Sequence, residues 1–513
     1  MRGFAYMFGA ALMALVQPAS AAPTQTLIDQ GRLMGVDQEG VTAYLGIPYA
    51  APPVGPNRWR APQPGPKWTG VRKAQSFGAA CYQNDGPAAR NMPPYTPEYM
   101  IAAPVSEDCL YLNVWTPAQK ASEKLPVLVW IHGGGFAIGG GDVPIYDGRN
   151  LADRGIIVVS LNYRLGYFGF FAHPALSAEA GSSGNYGILD LIAGLNWVKR
   201  NIGAFGGDAS RVTIAGQSAG AMAVDDLILS PLAKGLFRQA IAQSGLGVVV
   251  PGDRAEAERS GLEVADRKGW KSLAELRSLS AAEIHSGLRG AKRVPIADGV
   301  VLPADVRGAL AAGHYNDTPV MTGFTADEGS GRPGYFPDSA ATFITTVKKR
   351  YGTFADRVLA LYPQDAFLAS SLSLGRDRAL AAMLLWSEER RKTSRFPSYG
   401  YLFSHIEPGP DSAKYRAFHS SEIPYVFGTL GKTPERGFTT VDEKLSETMQ
   451  TYWVNFVRSG NPNGPSMAQW PQLDQNLLIM DLSNEPRARP GLSPDQLDLF
   501  REYLAAGGTS TIF

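Results

Sequence analysis

The sequence predicts an α/β fold: a large, mostly parallel twisted central sheet flanked by helices, with helical insertions around one end. Three observations predict it. Strand-like and helix-like runs alternate from about residue 105 to 245, the order that builds a parallel sheet with helices on both faces. Leu125–Ile131 (LPVLVWI) and Gly155–Leu161 (GIIVVSL) are apolar almost throughout, as strands covered on both faces require. Between the β-run Val212–Ala215 and a small-residue helical run stands Gly216-Gln217-Ser218-Ala219-Gly220. A serine on such a strand-to-helix turn projects its hydroxyl from the sheet, and the flanking glycines leave room for a strained backbone.

Along the chain, Arg2 precedes the mostly apolar run Phe4–Val16, which ends in Pro18-Ala19-Ser20-Ala21. A positive start, a short apolar stretch and an A-x-A site predict a secretory signal peptide over 1–21, cleaved near Ala21/Ala22. The alternative is a membrane anchor; the cleavage site argues against it. The expectation is therefore a secreted or periplasmic protein whose single domain is 22–513. No later apolar run is long enough to span a bilayer.

With 513 residues and 44% apolar residues, the chain can bury a large core. Lys plus Arg is 48 and Asp plus Glu is 47, so no overall field draws nucleic acid or an anionic membrane. There is no long charge block and no internal repeat. The two cysteines, Cys81 and Cys109, predict one disulfide in an exported protein. The stretch 82–104 inside that loop, rich in Pro and Tyr and without a clear period, reads as a tethered surface loop.

Within and beyond the alternating region, Gly187–Arg200 has helical spacing and Ala240–Ala242 is a short strand. Residues 250–315 and 340–395 read as helical blocks above or beside the sheet, where a substrate pocket can form. Pro319–Gly323 and Tyr399–Ser404 return to strands. Glu443–Arg458 is an amphipathic helix stopped by Gly460 and Pro462. Leu477–Leu482 is a late strand and Asp495–Ala505 a final helix.

The chemistry follows from the residues around Ser218. His132-Gly133-Gly134-Gly135-Phe136 directly follows the apolar strand ending at Ile131. Attack by Ser218 on an ester builds charge on the carbonyl oxygen, and glycines let main-chain N–H groups approach it closely. Gly134 and Gly135 are the expected donors, with Ala219, the residue after the nucleophile, as the third. His132 itself reads as structural. A serine needs a base, and the base an orienting carboxylate, in the chain order Ser, acid, His. Asp327 and Glu328, just past the strand at 319–323, are rival acids, with Glu328 preferred. Of the six histidines only His405 and His419 follow them; His419, in a loop, suits a base that must reach across.

These residues resemble the type-B carboxylesterase family, the α/β-hydrolases that include cholinesterases and bacterial para-nitrobenzyl esterases. Phe205-Gly206-Gly207-Asp208 through Gly220 fits its serine signature, and Glu107-Asp108-Cys109-Leu110-Tyr111-Leu112-Asn113-Val114 its second signature. Gly46-Ile47-Pro48-Tyr49-Ala50, Asn162-Tyr163-Arg164-Leu165-Gly166 and Tyr452-Trp453-Val454-Asn455-Phe456 fit as well. The resemblance runs from about residue 26 to 500, closest to the bacterial para-nitrobenzyl esterase-like members. It implies Glu328 as the acid, His419 as the base and Cys81–Cys109 as the family's first disulfide. It also implies ion pairs Arg58–Glu107 and Arg164–Asp190, with Ser244 and Glu422 behind the triad.

Two departures bear on substrate. Many relatives carry Glu before the nucleophile; here Gln217 is neutral. Residues 82–108 hold no Trp to grip a quaternary ammonium by cation–π attraction. The resemblance thus implies ester hydrolysis through an acyl-enzyme, on a small-molecule ester other than a choline ester. The chemistry calls for no metal and no organic cofactor. The rivals are a non-enzymatic adhesion relative, against which all three triad members are present, and an amidase or thioesterase.

Overall fold

An 11-stranded sheet organises the computed structural model, which describes residues 24–84, 93–245 and 251–510. The signal-peptide segment 1–21 lies outside the described residues. In chain order the strands are β1 (Val36–Gln38), β2 (Val41–Pro48), β3 (Tyr111–Thr116), β4 (Leu125–Ile131), β5 (Ile157–Leu161), β6 (Gly207–Gln217), β7 (Gln239–Gln243), β8 (Val320–Thr325), β9 (Ser398–Phe403), β10 (Leu478–Leu482) and β11 (Arg487–Pro490). Their spatial order is β11-β10-β9-β8-β7-β6-β4-β5-β3-β2-β1. From β5 across to β10 every pairing is parallel; β3, β2, β1 and β11 join antiparallel at the edges.

The centre is as the apolar runs predict. Along β4, Val127, Val129 and Ile131 enter one core layer and Leu128 and Trp130 the other, so a continuous run is a two-sided strand. The first layer packs against α1 (Tyr186–Asn201) and α2 (Ala219–Leu229) through Ile188, Leu191, Leu195 and Leu227. The second packs against Leu445, Met449 and Tyr452 of a later helix, Thr440–Ser459. That helix starts at a capping box, Thr439 with Asp442, and ends on Gly460 in the left-handed region. The 250–315 block forms helices Arg254–Arg267, Leu273–Ser278, Ala281–Gly287 and Val306–Ala311. The 340–395 block forms Ala340–Tyr351, Ala355–Leu361 and Phe367–Arg391.

The N-terminal edge extends the sheet beyond the predicted strands. β2 is buried along its whole length, but its sequence, VTAYLGIP, carries Thr, Gly and Pro that mask the pattern. Its register against β3 shifts between Tyr44 and Ile47, with Gly46 at φ 71°, a bulge that breaks the strand period.

Two bidentate ion pairs pin loops to this frame. Arg58 donates to both carboxylate oxygens of Glu107 at 2.8 and 2.6 Å. Arg164 does the same to Asp190 at 2.7 Å each, with both residues buried. Cys81 and Cys109 are disulfide-bonded. Among the described residues no helix is long and apolar enough to cross a membrane.

Candidate active site

The turn around Ser218 is shaped by what cannot fit there. A Cβ at Gly216 would strike the carbonyl of Gly220, and one at Gly220 would strike the carbonyl of Ile131 at the end of β4. Glycine at both positions lets β6, the turn and α2 close against the neighbouring strand. Ser218 sits at φ 59°, ψ −126°, a strained state that costs a non-glycine residue on the order of 1–3 kcal/mol. Its N–H is held by the carbonyl of Gln243 at 2.8 Å, and its own carbonyl accepts from Ala221 and Met222 at 2.9 and 3.0 Å. Ser218 is half-buried.

Beside it, the glycine loop turns back over the serine. A Cβ at Gly133 would lie 2.7 Å from the Gln217 carbonyl and 3.0 Å from Cβ of Ser218. Gly134 and Gly135 both adopt positive φ, 108° and 62°. Among the described residues, no group accepts a hydrogen bond from the N–H of Gly134, Gly135 or Ala219, and all three residues line the same cavity as Ser218. Ala219 also begins α2, so the helix dipole points its positive end at this spot.

Glu328 and His419 arrive on two loops that run side by side. Asp327 forms a parallel bridge with Phe418, its N–H donating to the carbonyl of Ala417 at 2.9 Å. The next residues, Glu328 and His419, therefore meet: Nδ1 of His419 donates to Oε2 of Glu328. The other Glu328 oxygen accepts from Ser244 Oγ at 2.6 Å and from the Thr325 N–H at 2.8 Å. The rivals are otherwise engaged. Asp327 turns to Arg416 at 3.2 Å. His405 bonds Asp442 through Nε2 at 2.8 Å and Asn484 through Nδ1 at 2.6 Å. His132 is buried and stacked on Tyr163 at 4.5 Å; burial pushes it down to about 4, so it stays neutral and structural.

With Nδ1 donating to Glu328, Nε2 carries the lone pair. The Gln217 amide nitrogen stands 3.1 Å from Nε2 and 3.5 Å from Nδ1. A donor in the ring plane on Nε2 would lie far from Nδ1, so the amide sits over the ring face. That N–H···π contact steadies the ring without taking the in-plane lone pair.

Behind the pair is a buried carboxyl. Glu422 is fully buried, and burial, reinforced by the nearby Glu328 charge, pushes it up to about 7. Its Oε1 accepts from the Gln243 amide at 3.1 Å, and Trp453 Nε1 fixes that amide by donating to its oxygen at 3.0 Å. Gln243 carries no local motif; Trp453 stands in the Tyr452–Phe456 motif, but only the packing of the helix Thr440–Ser459 on the sheet brings the two together.

The stretch 82–104 departs from its expected role as a surface loop. Residues 85–92 lie outside the described residues, but Gln83, Tyr95, Tyr99, Met100 and Ile101 line a cavity of about 570 Å³ together with Ser218, Glu328 and His419. The described walls are thus mostly loops. Tyr95, Tyr99 and Phe418 form an aromatic cluster with ring separations of 5.6, 5.8 and 6.1 Å. The abundance of tyrosine in the stretch was the available signal, since large rings with a polar tip favour half-wet walls. Among the described residues no cluster of His, Cys, Asp or Glu could hold a metal ion.

A parallel sheet that delivers a serine on a tight turn into a cavity at the strand ends defines the α/β-hydrolases. Within that class the chain belongs to the carboxylesterase family: the family's sequence model matches residues 22–365 and 368–500. The fumonisin B1 esterase of Sphingopyxis macrogoltabida is 36% identical over 92% of this chain and 91% of that protein. The para-nitrobenzyl esterase of Bacillus subtilis (strain 168) is 35% identical over 89% and 96%. A solved PNB esterase superposes with a TM-score of 0.78 at 30% identity, covering 93% of this chain and 99% of that one; a thermophilic PNB esterase superposes with a TM-score of 0.78 at 32%. The chain is a carboxylic ester hydrolase.

Proposed function

We propose that the chain hydrolyses small-molecule carboxylic esters through a covalent acyl-enzyme, with Ser218 as nucleophile, His419 as base and Glu328 as its orienting acid. The observation that carries this reading is the Glu328–His419 contact in the cavity that Ser218 lines. Ser218 Oγ attacks the ester carbonyl while its proton passes to Nε2 of His419. The oxyanion is held by the N–H groups of Gly134, Gly135 and Ala219, each worth about 3–4 kcal/mol when removed singly in comparable sites. The intermediate collapses, the C–O bond breaks, and the imidazolium returns the proton to the leaving alcohol. Water, deprotonated by His419, then attacks the acyl carbon and frees Ser218 with the carboxylic acid. Glu328 holds Nδ1–H throughout and stabilises the transient positive charge.

Ser218→Ala removes the nucleophile and is expected to cut turnover of a p-nitrophenyl ester at least about 10⁴-fold with an unchanged melting temperature. An organophosphate should label the native enzyme at one equivalent and leave this variant unlabelled. Near-normal turnover by the variant rejects the assignment. The reading also places the enzyme outside the cytoplasm, supported by the 1–21 leader pattern and by the disulfide. N-terminal sequencing of the exported protein should begin near Ala22.

A further inference from the structure

A second cavity, of about 340 Å³, lies against the catalytic one. Pro93 and Tyr95 line both, so the two are separated by a wall about one side chain thick. The remaining walls include Pro94, Pro408, Pro410 and Tyr415. Of its charged members, Arg436 pairs with Glu407 and Arg416 with Asp327, while Asp411 and Glu435 are exposed to solvent. Prolines and rings make a preformed apolar slot, which needs little ordering when filled.

Tyr95 is the partition. Its ring meets Phe418 edge-on at 5.8 Å, and its hydroxyl lies beside Ser420. Phe418 and Ser420 flank His419, so Tyr95 grips the base loop on both sides. Arg436 backs the wall, its guanidinium 5.5 Å from the Phe418 ring centre and 5.8 Å from that of Tyr99. It also donates to the Pro94 carbonyl and the Thr96 hydroxyl at 2.9 Å each.

We infer that the second cavity is a subsite for the distal hydrocarbon of an extended ester, and that Tyr95 sets how long a substrate the site takes. The inference rests on ester hydrolysis at Ser218. A chain anchored by its carbonyl beside Ser218 and longer than the first cavity must find its next apolar surface across Tyr95. Each methylene buried there favours binding about fourfold, so the subsite appears in chain-length preference.

The test compares kcat/KM for p-nitrophenyl butyrate and p-nitrophenyl dodecanoate, the latter below its micelle concentration. Ser412 lines the second cavity, and Ser412→Trp fills it. That variant is expected to lower the dodecanoate-to-butyrate ratio at least fivefold while butyrate hydrolysis stays unchanged. Tyr95→Ala merges the cavities and should raise the ratio at least fivefold; Ser412→Trp in that background should reverse the gain. Tyr95→Phe keeps the ring and should keep the ratio. A ratio unmoved by Ser412→Trp overturns the subsite whether or not Tyr95→Ala folds. A native enzyme inactive on both esters fails the hydrolytic reading instead.

Discussion

Ser218 is strained because its neighbours leave it no alternative, and that strain was legible before any coordinates: glycines two positions either side of a serine already imply a turn that side chains would block. The choice between Asp327 and Glu328 was not legible from spacing. It depends on which carboxylate the Asp327–Phe418 bridge turns toward the imidazole, a contact between segments about 90 residues apart, and the resemblance to known signatures supplied it. Glu328→Gln should keep the fold yet cost turnover about 10⁴-fold, because an amide cannot stabilise the charged base; single-turnover kinetics with a melting curve check it. Gln217 makes a second prediction. Glutamate there would set a negative charge over an imidazole that already faces Glu328 and, more distantly, Glu422. The added charge favours imidazolium, so the acid limb of kcat/KM against pH should move to higher pH in Gln217→Glu. An unmoved limb would mean that the amide does not face the ring.

Among the elements, two fasteners hold loops that the sheet alone would not. The disulfide closes a loop of 28 residues, and in the chain-entropy model its loss costs about 3–4 kcal/mol. The Cys81→Ser/Cys109→Ser variant should unfold at lower denaturant by that amount and lose activity earlier than it loses helix signal, since the loop it frees walls the cavity. Arg164 and Asp190 are 3% and 0% exposed at the side chain. Asp190→Ala leaves a buried guanidinium unpaired, at a cost of about 3–5 kcal/mol in urea denaturation. The sequence showed the length and polarity of the 82–104 loop but not its inward face, because a loop's side chains follow no period that a reader can project.

For the whole molecule, alternating apolar runs made the parallel centre of the sheet readable, whereas the antiparallel edge was hidden by a bulge and by Thr, Gly and Pro in β2. The assembled interior also sets how stability responds to pH. Burial pushes Glu407 up to about 8, partly offset by Arg436, and raises Asp226 on α2 well above the carboxylate range. The unfolded chain ionises both groups in that ordinary range. Their contribution is therefore complete below it and is lost as pH rises through the folded values. The melting temperature should fall between about pH 5 and 9, and Glu407→Gln should flatten the upper part of that decline. A slope unaltered by the substitution would assign the effect to other groups.

The bridge between Asp327 and Phe418 ties two loop feet together, and the chain between them returns through the sheet itself, by way of the helix Phe367–Arg391 and strand β9. The clasp is therefore anchored in the interior: β9 lies hydrogen-bonded between β8 and β10, and Leu402 on it packs with Leu380 and Met383 of that helix. Loosening this strand would slacken the grip of Glu328 on His419 from a distance, with no atom of the cavity changed.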